Sequence, residues 1–235
     1  CPGLRGISVA GAPLDLSLKT AVESTFGLPL HNGYGITECA PTISFTRVDD
    51  PREDTTVGPP IPGIEVRLKG VAGELAVPGE VGELHVRGPN VMLGYYKAPE
   101  MTTQAVDPEG WFNTGDLARL DGPYLHIVGR TKELIIRSGF NVYPPEVEAV
   151  LAAHPAVASC AVVGRCVPGN EEVVAFVQLK PGTAATPEEI GQFAAKHLAP
   201  YKRPIEVFIK ASLPATSAGK ILKHELAREA VRDAS

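Results

Sequence analysis

Between Thr56 and Val128, glycine and proline interrupt the apolar runs at short intervals, which confines this stretch to short elements joined by tight turns. The surviving runs are "GIEVRL", "GELAV", "GELHVRG" and "YLHIVGR". They are rich in Val, Ile and Leu, with partial period-2 alternation, and predict strands of a small antiparallel sheet or distorted barrel. The similar pieces "GELAVPGEVGELHVRG" are expected to be successive strands, not a repeat.

The flanking regions have a different grammar. Ahead of the sheet, "GISVAG" and "LPLHNGYG" read as buried strands ending in glycine, with a helical segment between them. Leu14, Leu18 and Val22 recur at i, i+4 and i+8 and predict its apolar stripe. Strand, helix, strand implies an α/β layer. After Arg130, "ELIIRSGFNVYP" predicts a hairpin with Ser138-Gly139 at its bend. "PPEVEAVLAAHP" predicts a helix with Val147, Val150 and Leu151 on one face. "SCAVVG", "EVVAFVQLK" and "IEVFIKASL" read as strands. "TPEEIGQFAAKHLAP" is a helix with Thr186 as N-cap and Pro187 at its first position, and "KHELAREAVRD" closes the chain as another helix. The fold class expected is therefore α/β plus α+β. An α/β layer with a small barrel-like sheet spans 1–128, a short connection lies at 129–132, and a compact α+β domain spans 133–235.

Bulk properties narrow the function. At 235 residues, with 44% hydrophobic and 21% charged content, the chain can build a globular core. Its net charge of -5 argues against a dedicated nucleic-acid binder. The four cysteines, Cys1, Cys39, Cys160 and Cys166, form no CxxC and no zinc set. Reduced, mostly buried thiols in the cytoplasm are the simplest expectation. No apolar run is long enough for a transmembrane segment, and no signal peptide is visible.

Several short stretches carry candidate chemistry. In "NGYGITE", Gly33 and Gly35 would let the backbone approach a ligand closely, and Tyr34 offers a flat face. Thr37 adds a hydroxyl, and Glu38 a hard oxygen suited to Mg²⁺. "AGAP" is a second small-residue turn at a strand end, where ligands sit in open α/β sheets. In "WFNTGD", Asp116 stands at a bend, and a carboxylate there can accept two hydrogen bonds from a ribose diol. Arg130 supplies a fixed cationic fork. Near the end, "PATSAGKILK" presents Lys220 on a bendable, glycine-flanked support. By composition alone, an ordinary turn or surface charge accounts for each of these.

Their order and wording together change that balance. "AGAP", "NGYGITE", "GELHVRGPNVMLGYY", "WFNTGD", "GRTKELIIRSGFNVYPPEVE" and "PATSAGKILK" resemble, in sequence order, the adenylate-forming superfamily of acyl-CoA synthetases, peptide-synthetase adenylation domains and luciferases. The resemblance implies that Gly11, Ala12 and Pro13, with Asn32, Gly33, Tyr34 and Gly35, hold the adenine of ATP. Thr37 would touch a phosphate, Glu38 would bind Mg²⁺, and Asp116 would grip the ribose with Arg130 beside it. Lys220 would bridge the carboxylic acid substrate and the α-phosphate. Residues 1–128 would then be the C-terminal portion of the large adenylating domain, and 133–235 the small mobile domain, with the hinge at Lys132. Ser138, Gly139 and Phe140 would line the path of the CoA pantetheine arm. Tyr201 and Arg203, in "APYKRP", would meet the CoA nucleotide, although a solvated basic turn accounts for them equally well.

The expected activity is ATP-dependent activation of a small-molecule carboxylic acid to acyl-AMP, followed by transfer to CoA. The alternatives are an adenylation domain that loads a carrier protein and a non-catalytic binding module that keeps the fold. Residues around His31, Gly33 and Cys39 to Ser44 are expected to form one wall of the acid pocket. The expectations extend to a homodimer and to a lysine acetyltransferase acting on Lys220. The family's Ser/Thr/Gly-rich phosphate-binding loop ending in Pro-Lys-Gly is missing, so the 235 residues are expected to be the C-terminal half of an enzyme, weakly active or inactive alone. Two departures from the family pattern are Ser138, where a second glycine is frequent, and the short "GRCVPGNEEV" loop.

Overall fold

The computed structural model describes residues 3–70, 73–217 and 219–232. Expectations that touch Cys1, Ala218 or Asp233 lie outside the described residues. The chain divides into two compact units, with the boundary between Thr131 and Lys132.

The first unit opens with β1 (Ile7–Ala10), α1 (Leu16–Phe26) and β2 (Leu30–Gly35). β1 and β2 are parallel, in register from Ile7 opposite Leu30 to Ala10 opposite Gly33. β3 (Thr42–Phe45) adds on antiparallel to β2. Helix α1 starts where Asp15 accepts the Ser17 and Leu18 N–H groups, and it stops at Gly27, left-handed at φ 65. The expected stripe of Leu14, Leu18 and Val22 does not form. Leu14 falls ahead of the cap, and Leu18 is 54% exposed, as is Leu16. The buried residue is Lys19, whose ammonium pairs with Glu23 and donates to the Leu30 carbonyl. Glu23 in turn accepts the Leu30 N–H at 2.9 Å. An ion pair one turn apart thus anchors the helix to the first residue of β2, where an apolar seam was expected.

The sheet predicted between Thr56 and Val128 is a four-stranded antiparallel meander of β4 (Glu65–Lys69), β5 (Val81–Arg87), β6 (Phe112–Asp121) and β7 (Tyr124–Arg130). "GELAV" is not one of its strands. Leu75 makes only an isolated bridge to Lys69, and Leu75 and Val77 are both largely exposed. Of this stretch only Ala76 packs on the core, with its N–H on the Leu68 carbonyl, so the face of Leu75 and Val77 has nothing to cover it. Leu68, Leu84, Val86, Phe112, Ala118 and Leu125 form the core with Cys39, Ile43 and Val57. A short helix, α2 (Pro99–Ala105), precedes β6.

The second unit begins with the hairpin of β8 (Ile135–Arg137) and β9 (Phe140–Val142). It continues through α3 (Pro144–Ala152), β10 (Val157–Val167), β11 (Asn170–Leu179), α4 (Pro187–His197), β12 (Glu206–Lys210) and α5 (Lys223–Arg232). β10 and β11 are antiparallel, and β11 pairs in parallel with β12 across the α4 crossover. The sheet is buried on both faces, which explains the near-continuous apolar runs of its strands. Val162, Val173, Ala175 and Val177 belong to the cluster with α3 and α4, whereas Ala161, Val163, Val174 and Phe176 pack with Leu226 and Ala230 of α5. Helix α4 carries a full capping box between Thr186 and Glu189. Among the described residues, no helix is long and apolar enough to cross a membrane.

Candidate functional site: a buried carboxylate on a bulged strand

Parallel pairing places the C-terminal ends of β1 and β2 side by side, with Ala10 opposite Gly33. "AGAP" starts at the last residue of β1, and "NGYGITE" spans the end of β2 and the turn that follows it. Gly11, Ala12 and Pro13 are exposed, and Gly11 needs its φ of +89, a conformation open to glycine. Tyr34 points its hydroxyl across the unit and donates to Asp116 Oδ2 at 2.5 Å. Arg130 Nε meets the other oxygen, Oδ1, at 3.0 Å. Asp116 is buried, while the Arg130 side chain is about half exposed. Sequence reading expected Arg130 beside Asp116 but not the link to Tyr34, which lies 82 positions from Asp116. Burial, and after it the Asp116 charge, push the Tyr34 phenol well above the ordinary tyrosine value, so it remains a donor.

Asp116 is not at a bend between elements, as expected, but inside β6. Gly115 has φ +69, and the β5–β6 register slips between the Glu83 and His85 pairs. This is a β-bulge, a device that re-aims a side chain. Thr114 Oγ1 donates to the Leu84 carbonyl and accepts the Asp116 N–H, while Asn113 Oδ1 accepts the Gly115 N–H. Directly across the ladder, Asp116 pairs with Arg130 of β7. The "NTGD" wording is thus the local recipe for the bulge.

The glycines of "NGYGITE" have a reason other than ligand approach. A Cβ on Gly35 would lie 2.1 Å from the Pro41 carbonyl oxygen, and one on Gly33 would lie 2.6 Å from the Phe45 ring. Both positions are kept small by the protein's own packing. Gly35→Ala is expected to destabilise the first unit by about 1–3 kcal/mol, the usual range for overpacking. Its urea midpoint should fall, and a midpoint equal to that of the parent protein would show that the Pro41 backbone yields freely. Asn32 is also turned inward. It is buried, and its amide donates to the Thr55 and Thr56 carbonyls, so its side chain serves packing. In the stretch expected to wall the acid pocket, burial varies, with Ala40 and Pro41 exposed and Thr42 half-buried. Cys39, Ile43 and Ser44 are fully buried, and His31 and Gly33 are buried as well. Burial, then the neighbouring Glu38 charge, push the Cys39 thiol up to about 11, which leaves it inert near neutrality. Cys166, by contrast with the expected burial, is exposed.

Thr37 and Glu38 stand on a single 3-10 turn, Thr37–Cys39, closed by the Ile36 N–H to the Pro41 carbonyl. Thr37 is exposed and Glu38 half-buried. Two residues with no expected role hold this turn. Tyr95 donates its hydroxyl to Glu38 Oε1 at 2.9 Å, and Asn90 donates to the Cys39 and Thr42 carbonyls. Their one signal was the stretch "GPNVMLGYY" itself. Among the described residues, no three His, Cys, Asp or Glu side chains converge into a metal cage. A lone glutamate fits Mg²⁺, which is usually held by one or two carboxylates together with substrate phosphates.

In the second unit, Lys220 sits on a small self-closed turn. Ala215 bridges Ile221, the Thr216 N–H donates to the Lys220 carbonyl at 2.9 Å, and Thr216 Oγ1 accepts the Lys220 N–H. Gly219 has φ +81, and Lys220 is exposed. Helix α5 begins only at Lys223, so Lys220 belongs to this turn and not to the helix start. Lys132 is exposed on a 3-10 turn, Thr131–Glu133, at the unit boundary.

The structure brings Ser138, Gly139, Phe140, Tyr201 and Arg203 together. Ser138 and Gly139, at φ 52 and 82, make the two-residue hairpin turn that needs positive φ at both positions. Phe140 stacks on Tyr201 with ring centroids 4.7 Å apart. Arg137 Nη1 donates to the Tyr201 and Arg203 carbonyls. Arg203 spends its Nε on the Leu198 carbonyl, so its fork is partly committed within the fold.

Comparisons with known proteins agree with this geometry. A family model described as "AMP-binding enzyme" matches residues 1–96, and one described as "AMP-binding enzyme C-terminal domain" matches residues 146–220. A long-chain-fatty-acid–CoA ligase of Yersinia pestis is 39% identical over 223 residues, covering 94% of this chain and 40% of the relative. A feruloyl-CoA synthase of an Amycolatopsis species is 40% identical over 228 residues, covering 96% of this chain and 46% of the relative. The crystal structure of ATP-bound MatB from Rhodopseudomonas palustris superposes with a TM-score of 0.90 at 32% identity, over 96% of this chain and 45% of that one. The chain therefore spans less than half the length of these relatives. It belongs to the AMP-binding, adenylate-forming enzyme family and corresponds to the C-terminal part of its acyl-CoA ligase members.

Proposed function

We propose that the chain is the C-terminal part of an AMP-forming acid–thiol ligase that makes acyl-CoA, AMP and pyrophosphate from a carboxylic acid, ATP and CoA. The observation that carries this reading is the buried Asp116 carboxylate, aimed by a β-bulge and flanked by Tyr34 and Arg130. Each carboxylate oxygen can accept more than one hydrogen bond, so Asp116 retains capacity for a ribose diol. Gly11, Ala12, Pro13 and the Asn32–Gly35 strand end offer the adjoining adenine surface, the backbone of β2 serving where the Asn32 side chain does not.

In the first half-reaction, a carboxylate oxygen bonds to the α-phosphorus and the bond to pyrophosphate breaks. Two anions must approach, and Lys220 would offset their repulsion from its exposed turn. Thr37 would donate to a phosphate oxygen. Mg²⁺, held by Glu38 and the phosphates, would supply charge neutralisation there. In the second half-reaction, the CoA sulfur bonds to the acyl carbon, AMP leaves, and the thiol proton passes to solvent. A pivot at Lys132 would exchange Lys220 for the Ser138–Gly139–Phe140 turn between the steps, since a few residues suffice for a hinge. Tyr201 and Arg203 stand beside that turn and would meet the CoA nucleotide. A cytoplasmic setting suits these substrates, and an exposed Lys220 is accessible to an acetyltransferase that would remove its charge.

The names of the relatives, a long-chain-fatty-acid–CoA ligase and a feruloyl-CoA synthase, support a fatty or an aromatic carboxylic acid as the substrate. The test is pyrophosphate release by the full-length protein with ATP, Mg²⁺ and aliphatic, aromatic and dicarboxylic acids, with and without CoA. Acid-dependent release that accelerates with CoA, with acyl-CoA detected by mass, is the expected result. Acid-dependent release indifferent to CoA would transfer the acceptor role to a carrier protein. Absence of release with every acid would leave an acid outside the panel or a fold retained for binding.

A further inference from the structure

The stretch Asn90–Tyr95, between β5 and α2, makes three hydrogen bonds to the turn that presents Thr37 and Glu38 and a fourth to Thr42 just after it, and none of the chemistry above uses it. Asn90 Nδ2 donates to the Cys39 carbonyl at 2.8 Å and to the Thr42 carbonyl at 2.9 Å. The Met92 N–H donates to the Glu38 carbonyl at 2.8 Å, and the Tyr95 hydroxyl to Glu38 Oε1 at 2.9 Å. The turn is therefore gripped at its backbone on both sides and at one carboxylate oxygen.

The grip is itself anchored. The Tyr95 N–H donates to Thr102 Oγ1 of α2 at 2.9 Å, and Thr102 Oγ1 also donates to the Ala98 carbonyl. A Cβ at Gly94 would meet Thr102 Cγ2 at 2.8 Å, so the chain passes directly against that side chain. Tyr95 is half-buried, whereas its neighbour Tyr96 is 89% exposed. Two adjacent tyrosines thus have opposite fates, and the sheltered one is spent on Glu38.

A glutamate has three rotatable bonds, and freezing it when a cation binds costs conformational entropy. A donor fixed beforehand removes part of that cost. We propose that Tyr95 is a positioning residue for Glu38: its hydroxyl holds Oε1, so the other oxygen is presented in one orientation to the divalent cation that accompanies the nucleotide. This inference rests on the reading of Glu38 as the cation ligand. It assigns to the "GPNVMLGYY" stretch the role of setting cation affinity from outside the nucleotide's own contacts.

The experiment measures binding, not turnover. Binding of a non-hydrolysable ATP analogue to the full-length protein is followed by calorimetry while Mg²⁺ is varied. Tyr95→Phe is expected to raise the Mg²⁺ midpoint by about three- to tenfold, the cost of ordering one rotamer-rich side chain on binding, and to leave cation-free nucleotide binding unchanged. Tyr96→Phe should leave both unchanged. In the double variant with Glu38→Gln, the Tyr95 substitution should add nothing, because the group it acts through is gone. Thr102→Val, which loosens the anchor without touching Glu38, should raise the midpoint by a smaller factor. It also tests the idea if Tyr95→Phe does not fold. An unchanged or lower midpoint in Tyr95→Phe, with a raised one in Glu38→Gln, would overturn the role of Tyr95 and spare that of Glu38. An unchanged midpoint in Glu38→Gln itself would overturn both.

Discussion

Lys220→Ala is expected to slow acyl-adenylate formation by about 10²–10³-fold, the cost typical of removing one donor aimed at transition-state charge. The effect should be confined to the first half-reaction. When acyl-AMP is supplied ready-made, transfer to CoA should proceed within a few-fold of the parent rate. Stability should barely change, because the Lys220 side chain is exposed and the turn is closed by backbone groups and Thr216. Unfolding midpoints then serve as the internal control. Equal loss of both half-reactions would mean that Lys220 shapes the fold or the thiol site instead. Full retention of adenylation would remove it from the mechanism. The same assay discriminates the non-catalytic alternative, in which the substitution would leave binding intact with no reaction to lose.

Asp116→Ala is the second large effect. Under the proposed mode of binding, it removes the acceptor of the ribose hydroxyls, and a hydrogen bond to a charged group is worth about 1.5–3 kcal/mol. The KM for ATP should rise by about 10- to 150-fold, with a smaller fall in kcat. It also deprives the Tyr34 hydroxyl and Arg130 of their shared partner, so some stability is lost. Tyr34→Phe separates these contributions. It keeps the carboxylate and the ring but removes the hydroxyl, and is expected to raise the KM for ATP only a few-fold. A KM for ATP that stays at the parent value in Asp116→Ala would relocate the ribose elsewhere.

Much of the fold was legible because its signals are local. Periodicity, caps and turn residues located α3, α4, the β8–β9 hairpin and strands β4, β5 and β7 of the meander, but not β6, whose "NTGD" wording signals a bend. Thr186 with Glu189, and Ser138 with Gly139, act within a few residues of themselves. Two of the misreadings share one cause. The stripe of Leu14, Leu18 and Val22, and the alternation in "GELAV", are patterns that matter only if another surface covers them. In this structure a Lys19–Glu23 pair, not leucine, anchors α1, and Leu75 and Val77 face outward.

The site divides along the same line. Residue types and their order along the chain singled out the candidates for the proposed chemistry: Thr37, Glu38, Asp116, Arg130 and Lys220 are named by the wording of the stretches that hold them. What each group touches was decided by tertiary structure alone. Tyr34 finds Asp116 because β2 and β6 meet in one core, and Tyr95 finds Glu38 because the strand-to-helix connection folds back over the turn. Gly33 and Gly35 are small because Phe45 and Pro41 press on them. Hydrogen bonds and steric limits act over a few ångströms, whereas the residues that meet here lie up to 82 positions apart. A linear sequence records the groups, and only the packed chain records their distances.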